Sequence, residues 1–191
     1  MIQIRIHGRG GQGVVTAAEL IALAAFKDGL YAQAFPSFGV ERSGAPIQAF
    51  ARLSKEIIIT REQIYQPDVL IIQDESLLEN REILNGISPQ TYLIVNSNKS
   101  PKELQRLSGN KIKIERIVSS PATAIALRLL GRNIVNTVIL GAFAAVIMLT
   151  VVIWVSRDLP NPNQLINREI AQSTKIYDRD GEHILYEVHG D

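Results

Sequence analysis

A chain of 191 residues, with 20 basic and 19 acidic side chains and no cysteine, is long enough for one ordinary domain plus an appendage. Its balanced charge lacks the clustered cations that a nucleic-acid surface needs to displace counterions from phosphates. The missing cysteines exclude disulfides, thiolate zinc sites and iron–sulfur ligation by this chain, and His7, His183 and His189 are too few for a histidine-rich metal site.

Ile2, Ile4 and Ile6 alternate with Gln3 and Arg5, which predicts a short strand rather than a signal peptide. Gly8–Gly13 is a loop, and Val14–Lys27 is an apolar, alanine-containing helix ended by Gly29. Tyr31–Phe35 reads as a second strand and leads into the turn-rich stretch Pro36–Pro46. Ile47–Leu53 and Ile57–Thr60 read as further strands. The run Val69–Ile72 has the pattern of a strand buried on both faces, Thr91–Val95 repeats it, and Lys111–Ile114 shows it more weakly. Helices are expected at Pro101–Leu107 and Pro121–Leu130. Strands alternating with helical patterns imply an α/β fold of three layers, α/β/α, around a mainly parallel sheet.

The composition then changes. No charged residue lies between Arg132 and Arg157, and Val138–Val155 is almost wholly apolar. A helix over that stretch would reach roughly 30 Å, enough for a bilayer core, with Trp154 near its end as an interfacial residue would be. The same stretch fits a buried C-terminal helix, but it shows almost no polar face, which favours a transmembrane span. Beyond it, Leu159–Pro162 breaks the helix and 167–172 has helical character. Lys175–Asp178 and His183–Val188 flank Asp180–Gly181 as a β-hairpin would. Three segments result: a soluble domain over 1–133, a long apolar helix over 134–156 and a tail over 157–191.

The glycine loop carries the chemistry. Gly8, Gly10 and Gly13 match G-x-G-x-x-G between a strand and a helix. Glycines let the backbone approach a ligand closely, and a helix N-terminus presents unpaired N–H groups to an anion. Arg9 adds a cation able to bond a phosphate. A tight turn without ligand has the same spacing. NAD binding calls for a carboxylate at the end of the second strand, and Gln33-Ala34-Phe35-Pro36 offers none; Asp28 comes too early. Val14 and Val15 after Gly13 rule out a Walker loop.

Gly8-Arg9-Gly10-Gly11-Gln12-Gly13, Thr16-Ala17-Ala18 and the block Phe35-Pro36-Ser37-Phe38-Gly39-Val40-Glu41-Arg42-Ser43-Gly44-Ala45-Pro46 closely resemble the gamma family of 2-oxoacid:ferredoxin oxidoreductases. Asn136-Thr137 with Leu140-Gly141-Ala142 is similar to a later helix of that family, and the resemblance covers about residues 1–144. It implies a Rossmann-like domain in an enzyme that converts a 2-oxoacid to acyl-coenzyme A. Thiamine diphosphate and iron–sulfur clusters would lie on partner subunits, and ferredoxin would be an indirect partner. The resemblance also implies that Gly8, Arg9, Gly10, Gly11, Gln12 and Gly13 hold the pyrophosphate or pantetheine of coenzyme A. Arg42 is expected to meet an acidic group of that ligand or of a partner; a self-paired Glu41–Arg42 loop is the plain alternative. Asp74 and Asn96 follow apolar strands, where either a ligand contact or a helix cap is expected.

The tail differs. Arg157–Leu165 and Ile170–Arg179 resemble the segment outside the membrane anchor of bifunctional penicillin-binding proteins. That resemblance implies a chimeric chain, a junction of two unrelated pieces whose soluble domain would stay cytoplasmic if the span inserts, and it carries over no catalytic residue. Two other readings stand beside the oxidoreductase subunit: a stand-alone nucleotide-binding module, and a membrane-anchored cell-wall fragment with a cytoplasmic passenger.

Overall fold

The computed structural model describes residues 1–37, 44–157, 174–177, 180, 182 and 184–188. The chain divides into two compact units, Met1–Leu149 and Thr150–Asp191.

The first unit is built on a six-stranded sheet in the order β2 (Tyr31–Ser37), β3 (Pro46–Ser54), β1 (Ile2–Arg9), β4 (Val69–Ile72), β5 (Tyr92–Asn96), β6 (Ile117–Ser120). β3 runs antiparallel to β1 and β2, while β1, β4, β5 and β6 are parallel neighbours. The sheet is therefore mixed, with β3 its reversed strand.

Alternation along the strands assigns the two faces. Ile4, Ile6, Ala49, Ala51, Val69, Ile71 and Ile94 face one core, which holds α1 (Val14–Lys27) through Val14, Ala17, Ala18 and Ile21. α3 (Ala122–Leu130) adds Ala122 there, and α4 (Val135–Arg157) adds Val135, Ile139 and Phe143 at four-residue spacing. Leu70, Ile72, Leu93 and Val95 face the second core, covered by Leu104 of α2 (Pro101–Leu107) and by the 3₁₀ turns Glu75–Glu79 and Arg81–Leu84. α2 begins with Pro101 at its first position and a capping box. Ser100 accepts from the Glu103 amide, and the Glu103 carboxylate accepts from the Ser100 amide.

Two expected strands differ. Ile57–Thr60 forms none, because β3 pairs with β1 only to Ile2↔Leu53 and with β2 only to Tyr31↔Ser54. Past Ser54 both ladders end. The last strand lies at Ile117–Ser120 instead of 111–114. Leu93–Asn96 pair with 117–120, an uncharged tetrapeptide, whereas Lys111 and Lys113 bracket Ile112. Ile112 is buried all the same, its carbonyl accepting from Gln105 Nε2 at 3.0 Å.

Arg5 and Arg52 hold the far face near β3. Both are buried polar positions of alternating strands. Arg5 donates to the carbonyls of Ile64 (3.2 Å), Tyr65 (3.4 Å), Ile83 (2.9 Å) and Asn85 (2.7 Å). Arg52 donates to the Glu62 carbonyl and, at 3.4 Å, to that of Thr60, and it lies over the Phe35 ring. Two guanidinium groups thus fasten irregular backbone onto the sheet in place of an apolar contact.

α4 is long and apolar enough over Val135–Ser156 to cross a membrane by length and composition, yet its opening turns are part of the core. In the second unit β7 (Thr174–Tyr177) pairs antiparallel with β8 (Ile184–Val188). The expected helical stretch 167–172 lies outside the described residues.

Candidate functional site

Connections from β1 and β4 leave in opposite directions. β1 feeds α1 on one face and returns through β2 and β3, while β4 feeds the 3₁₀ turns on the other face and returns as β5. The carboxyl ends of β1 and β4 therefore flank a topological switch point, where open α/β sheets place their ligands. The glycine loop and Asp74 both stand there.

The loop folds as the spacing requires. Gly11 and Gly13 have φ of +93° and +72°, the left-handed region that glycine tolerates. A Cβ on Gly8 would lie 2.5 Å from Val14 Cγ2, so this glycine lets α1 approach β1. A Cβ on Gly13 would lie 2.4 Å from Asn136 Nδ2, so this one admits the start of α4. Gly10 extends the β1–β3 ladder, donating to Ala45 O at 2.9 Å and accepting from Gly44 N at 3.3 Å. Ala17 N bonds Gly13 O at 2.9 Å. The amides of Val14, Val15 and Thr16, in the first turn of α1, have no partner within the helix.

Arg9 is committed largely to its own chain. Its Nε meets Asp74 Oδ2 at 3.0 Å, Nη2 donates to Ser76 Oγ at 2.7 Å, and Nη1 donates to Gly44 O at 3.1 Å. Two of its five N–H groups remain for a ligand. Gln12 braces the loop from within. Its Oε1 accepts from Arg9 N at 2.8 Å, and its Nε2 donates to Asp74 Oδ2 at 3.3 Å. Burial works to raise the Asp74 carboxyl, but the Ser76 hydroxyl and amide, Gln12 and Arg9 outweigh it and hold it below its ordinary value.

Both post-strand polar residues serve as caps. Asp74 accepts from Ser76 N at 3.1 Å, opening a 3₁₀ turn. Asn96 reaches past the next helix: its Oδ1 accepts from Thr123 N at 3.1 Å in α3, and its Nδ2 donates to Gln73 O (2.9 Å) and Thr123 Oγ1 (2.8 Å). Beside it a small cavity of about 100 Å³ is lined by Glu75, Asn96, Ser97, Asn98, Pro121, Thr123 and Ala124.

Gln73 and His7 are functional candidates that the sequence reading missed. Among the described residues, five buried side-chain atoms lack a partner, and three are His7 Nε2, Gln73 Nε2 and Gln73 Oε1 at this end of the sheet. Gln73 is 0% exposed, and its Oε1 would be 3.1 Å from a Cβ on Gly8. Burial, helped by the nearby Arg5 charge, lowers the His7 ring to about 3, so it is neutral at physiological pH. An apolar strand ended by glutamine was the available sequence signal for Gln73. Arg42 lies outside the described residues, so the sequence alone speaks for it.

The chain is matched over residues 3–173 by the family model described as pyruvate ferredoxin/flavodoxin oxidoreductase. Pyruvate synthase subunit PorC of Methanosarcina barkeri is 49% identical over 145 residues, covering 75% of this chain and 76% of that subunit. The pyruvate/ketoisovalerate oxidoreductases common subunit gamma of Pyrococcus abyssi is 44% identical over 186 residues, 93% of this chain and 100% of its own length. The crystal structure of pyruvate oxidoreductase subunit PORC from Thermotoga maritima superposes with a TM-score of 0.66 at 39% identity, covering 76% of this chain and 75% of that one.

Proposed function

Since the chain belongs to the pyruvate ferredoxin/flavodoxin oxidoreductase family and is a gamma-type subunit of such an enzyme, we propose that its share of the reaction is to receive coenzyme A at the glycine loop. The supporting observation is the donor character of the α1 tip. First-turn amides with no partner within the helix and the unused N–H groups of Arg9 belong to the switch point, while the carboxylate of Asp74 is already held by Arg9, Gln12 and Ser76. Such a surface suits a phosphate and repels nothing about it.

In this reading Gly8, Gly10, Gly11 and Gly13 shape the backbone, Gln12 braces it, and Arg9 and Arg42 supply positive charge toward the phosphates. The acyl chemistry takes place on partner subunits, which carry thiamine diphosphate and the iron–sulfur clusters and pass electrons to ferredoxin. The assembly is cytoplasmic, and the tail adds no catalytic group to it.

The test is a coenzyme A titration of the assembled oxidoreductase containing Gly10→Val, Arg9→Met or Arg42→Ala. The expected result is a KM for coenzyme A raised tenfold or more by Gly10→Val, with the KM for the 2-oxoacid unmoved. An unchanged coenzyme A KM in all three, with assembly intact, overturns the assignment.

A further inference from the structure

The segment 57–60 has the composition of a strand and no strand to pair with. Its β-branched residues favour an extended backbone, and 57–61 contains no turn or bend. Exposure alternates along it as along a strand: Ile57 is 71% exposed, Ile58 half-buried and Ile59 88% exposed. Among the described residues, the amides and carbonyls of Ile57, Ile58 and Ile59 enter no hydrogen bond.

Arg52 fixes which way this backbone faces. Its guanidinium donates to the carbonyls of Thr60, at 3.4 Å, and Glu62. In an extended chain alternate residues send their N–H and C=O groups to opposite edges, so those of Ile57 and Ile59 point away from Arg52. The same isoleucines, with Ile2, Leu30 and Leu53, line an apolar groove of about 640 Å³ at the amino end of β1, opposite the glycine loop. An unpaired main-chain edge beside an apolar groove suits an extended peptide, whose backbone pairs with the edge while alternate side chains fill the groove. A helix offers no such row of main-chain donors and acceptors.

Charge disfavours a second copy of this chain as the occupant. Two identical segments that pair antiparallel about a two-fold axis set one residue opposite itself. Centring on Ile58 opposes Lys55 to Arg61, and centring on Ile59 opposes Glu56 to Glu62, so both registers confront like charges. Centring on Ile57 or Thr60 sets isoleucines against charged residues. A partner of different sequence meets neither obstacle, and a gamma-type subunit has such partners in its own enzyme. We propose that this edge receives an extended segment of another subunit of the oxidoreductase, added as a strand along Ile57 and Ile59, with its alternate apolar side chains in the groove. The coenzyme A reading is not needed for it.

Hydrogen exchange and co-purification on the co-expressed oxidoreductase test this. The amides of Ile57 and Ile59 should exchange about tenfold more slowly in the assembled enzyme than in the isolated full chain, and that of Ile58, on the other edge, should change less. Ile59→Lys alters a side chain that lies almost wholly in solvent, so the isolated chain should melt as wild type does. Its incorporation into the assembled enzyme should fall about fivefold or more. Ile59→Pro, which removes the donor, should also lower incorporation, and Ile59→Val should assemble as wild type. In the complex that still forms, the KM for coenzyme A should not move, which separates this edge from the glycine loop. Unchanged exchange of both amides on assembly, or full incorporation of Ile59→Lys, overturns the proposal. So does a concentration-dependent dimer of the isolated chain that Ile59→Lys abolishes, since the occupant would then be a second copy.

Discussion

Arg9 and Asp74, 65 residues apart in sequence, meet at 3.0 Å across the carboxyl ends of β1 and β4 and so lock the glycine loop to the neighbouring strand. The contact is partly buried, and Gln12 and Ser76 share the same carboxylate. Asp74→Asn keeps an acceptor for the Ser76 amide but removes the charge, and should destabilise the chain by about 1–2 kcal/mol at pH 7. Because the folded carboxyl titrates below its ordinary 3.8, the unfolded chain takes up the proton first as pH falls. The Asp74 contribution is complete above that ordinary value and is lost as pH drops through the depressed one. Urea melts of both proteins should therefore differ at pH 7 and begin to converge only as pH falls below the ordinary 3.8. A gap that persists in acid would mean that the charge is not what stabilises the loop.

His7 acts in a higher window. Its folded ring titrates at about 3 against an ordinary 6.5, chiefly because burial opposes its charging. Between those values the unfolded chain binds a proton that the folded chain refuses, so stability falls with decreasing pH by about 1.4 kcal/mol per unit. The wild type should lose about 2 kcal/mol from pH 6.5 to pH 5, before most carboxylates respond. His7→Gln, which cannot charge, should lose little over the same interval in denaturant titrations. Parallel slopes for the two proteins would place the pH dependence elsewhere.

The sequence made the switch-point loop visible because its four glycines fall within six residues and are bracketed by a strand and a helix. It also made β4 legible, since Val69–Ile72 has no polar residue to misplace. What it concealed were properties set by neighbours distant in the chain. Ile57–Thr60 has a strand's composition, but strand formation needs a partner, and β1 and β2 supply none beyond Ser54. Arg5 sits at a polar position of an alternating pattern, and only the folded chain shows carbonyls from Ile64 to Asn85 closing over it. Gln73 looks like any polar residue ending an apolar run. Asn136 was visible as part of a later helix, but its approach to Gly13, more than a hundred residues away in the chain, appears only in the folded protein. The apolar run of α4 likewise reads as uniform, although Val135, Ile139 and Phe143 form one buried stripe.

Two glycines with nearly the same backbone separate strain from collision. Gly29 and Gly86 have φ of +81° and +77°. A Cβ on Gly29 meets nothing within 4 Å, so Gly29→Ala should cost about 1 kcal/mol, the ordinary left-handed penalty. A Cβ on Gly86 would stand 1.7 Å from the Tyr65 carbonyl oxygen, a backbone atom that cannot rotate away. Gly86→Ala should therefore cost several times as much, on the order of 3 kcal/mol or more. Thermal melts of the pair give the comparison directly. Equal shifts in melting temperature would show that the 65–86 contact is dispensable.

The same contact region tests whether Arg5 is structural. Its guanidinium gathers four carbonyls from two loops that are themselves about 20 residues apart, those of Ile64, Tyr65, Ile83 and Asn85. Burial lowers its pKa from the ordinary 12.5, but an arginine remains charged even so. A lysine has one short ammonium in place of a planar fork, so Arg5→Lys should leave some of these carbonyls without a donor. Arg5→Met removes the charge altogether and leaves all four unpaired by this side chain. We expect about 1–3 kcal/mol lost for Arg5→Lys and about 3–5 kcal/mol for Arg5→Met. Limited proteolysis should then cut first around residues 60–66, because those carbonyls are fastened through Arg5 and Arg52 and not through a strand ladder. Cleavage in the glycine loop before that segment, or a methionine variant as stable as wild type, would show that apolar packing alone keeps the loop in place.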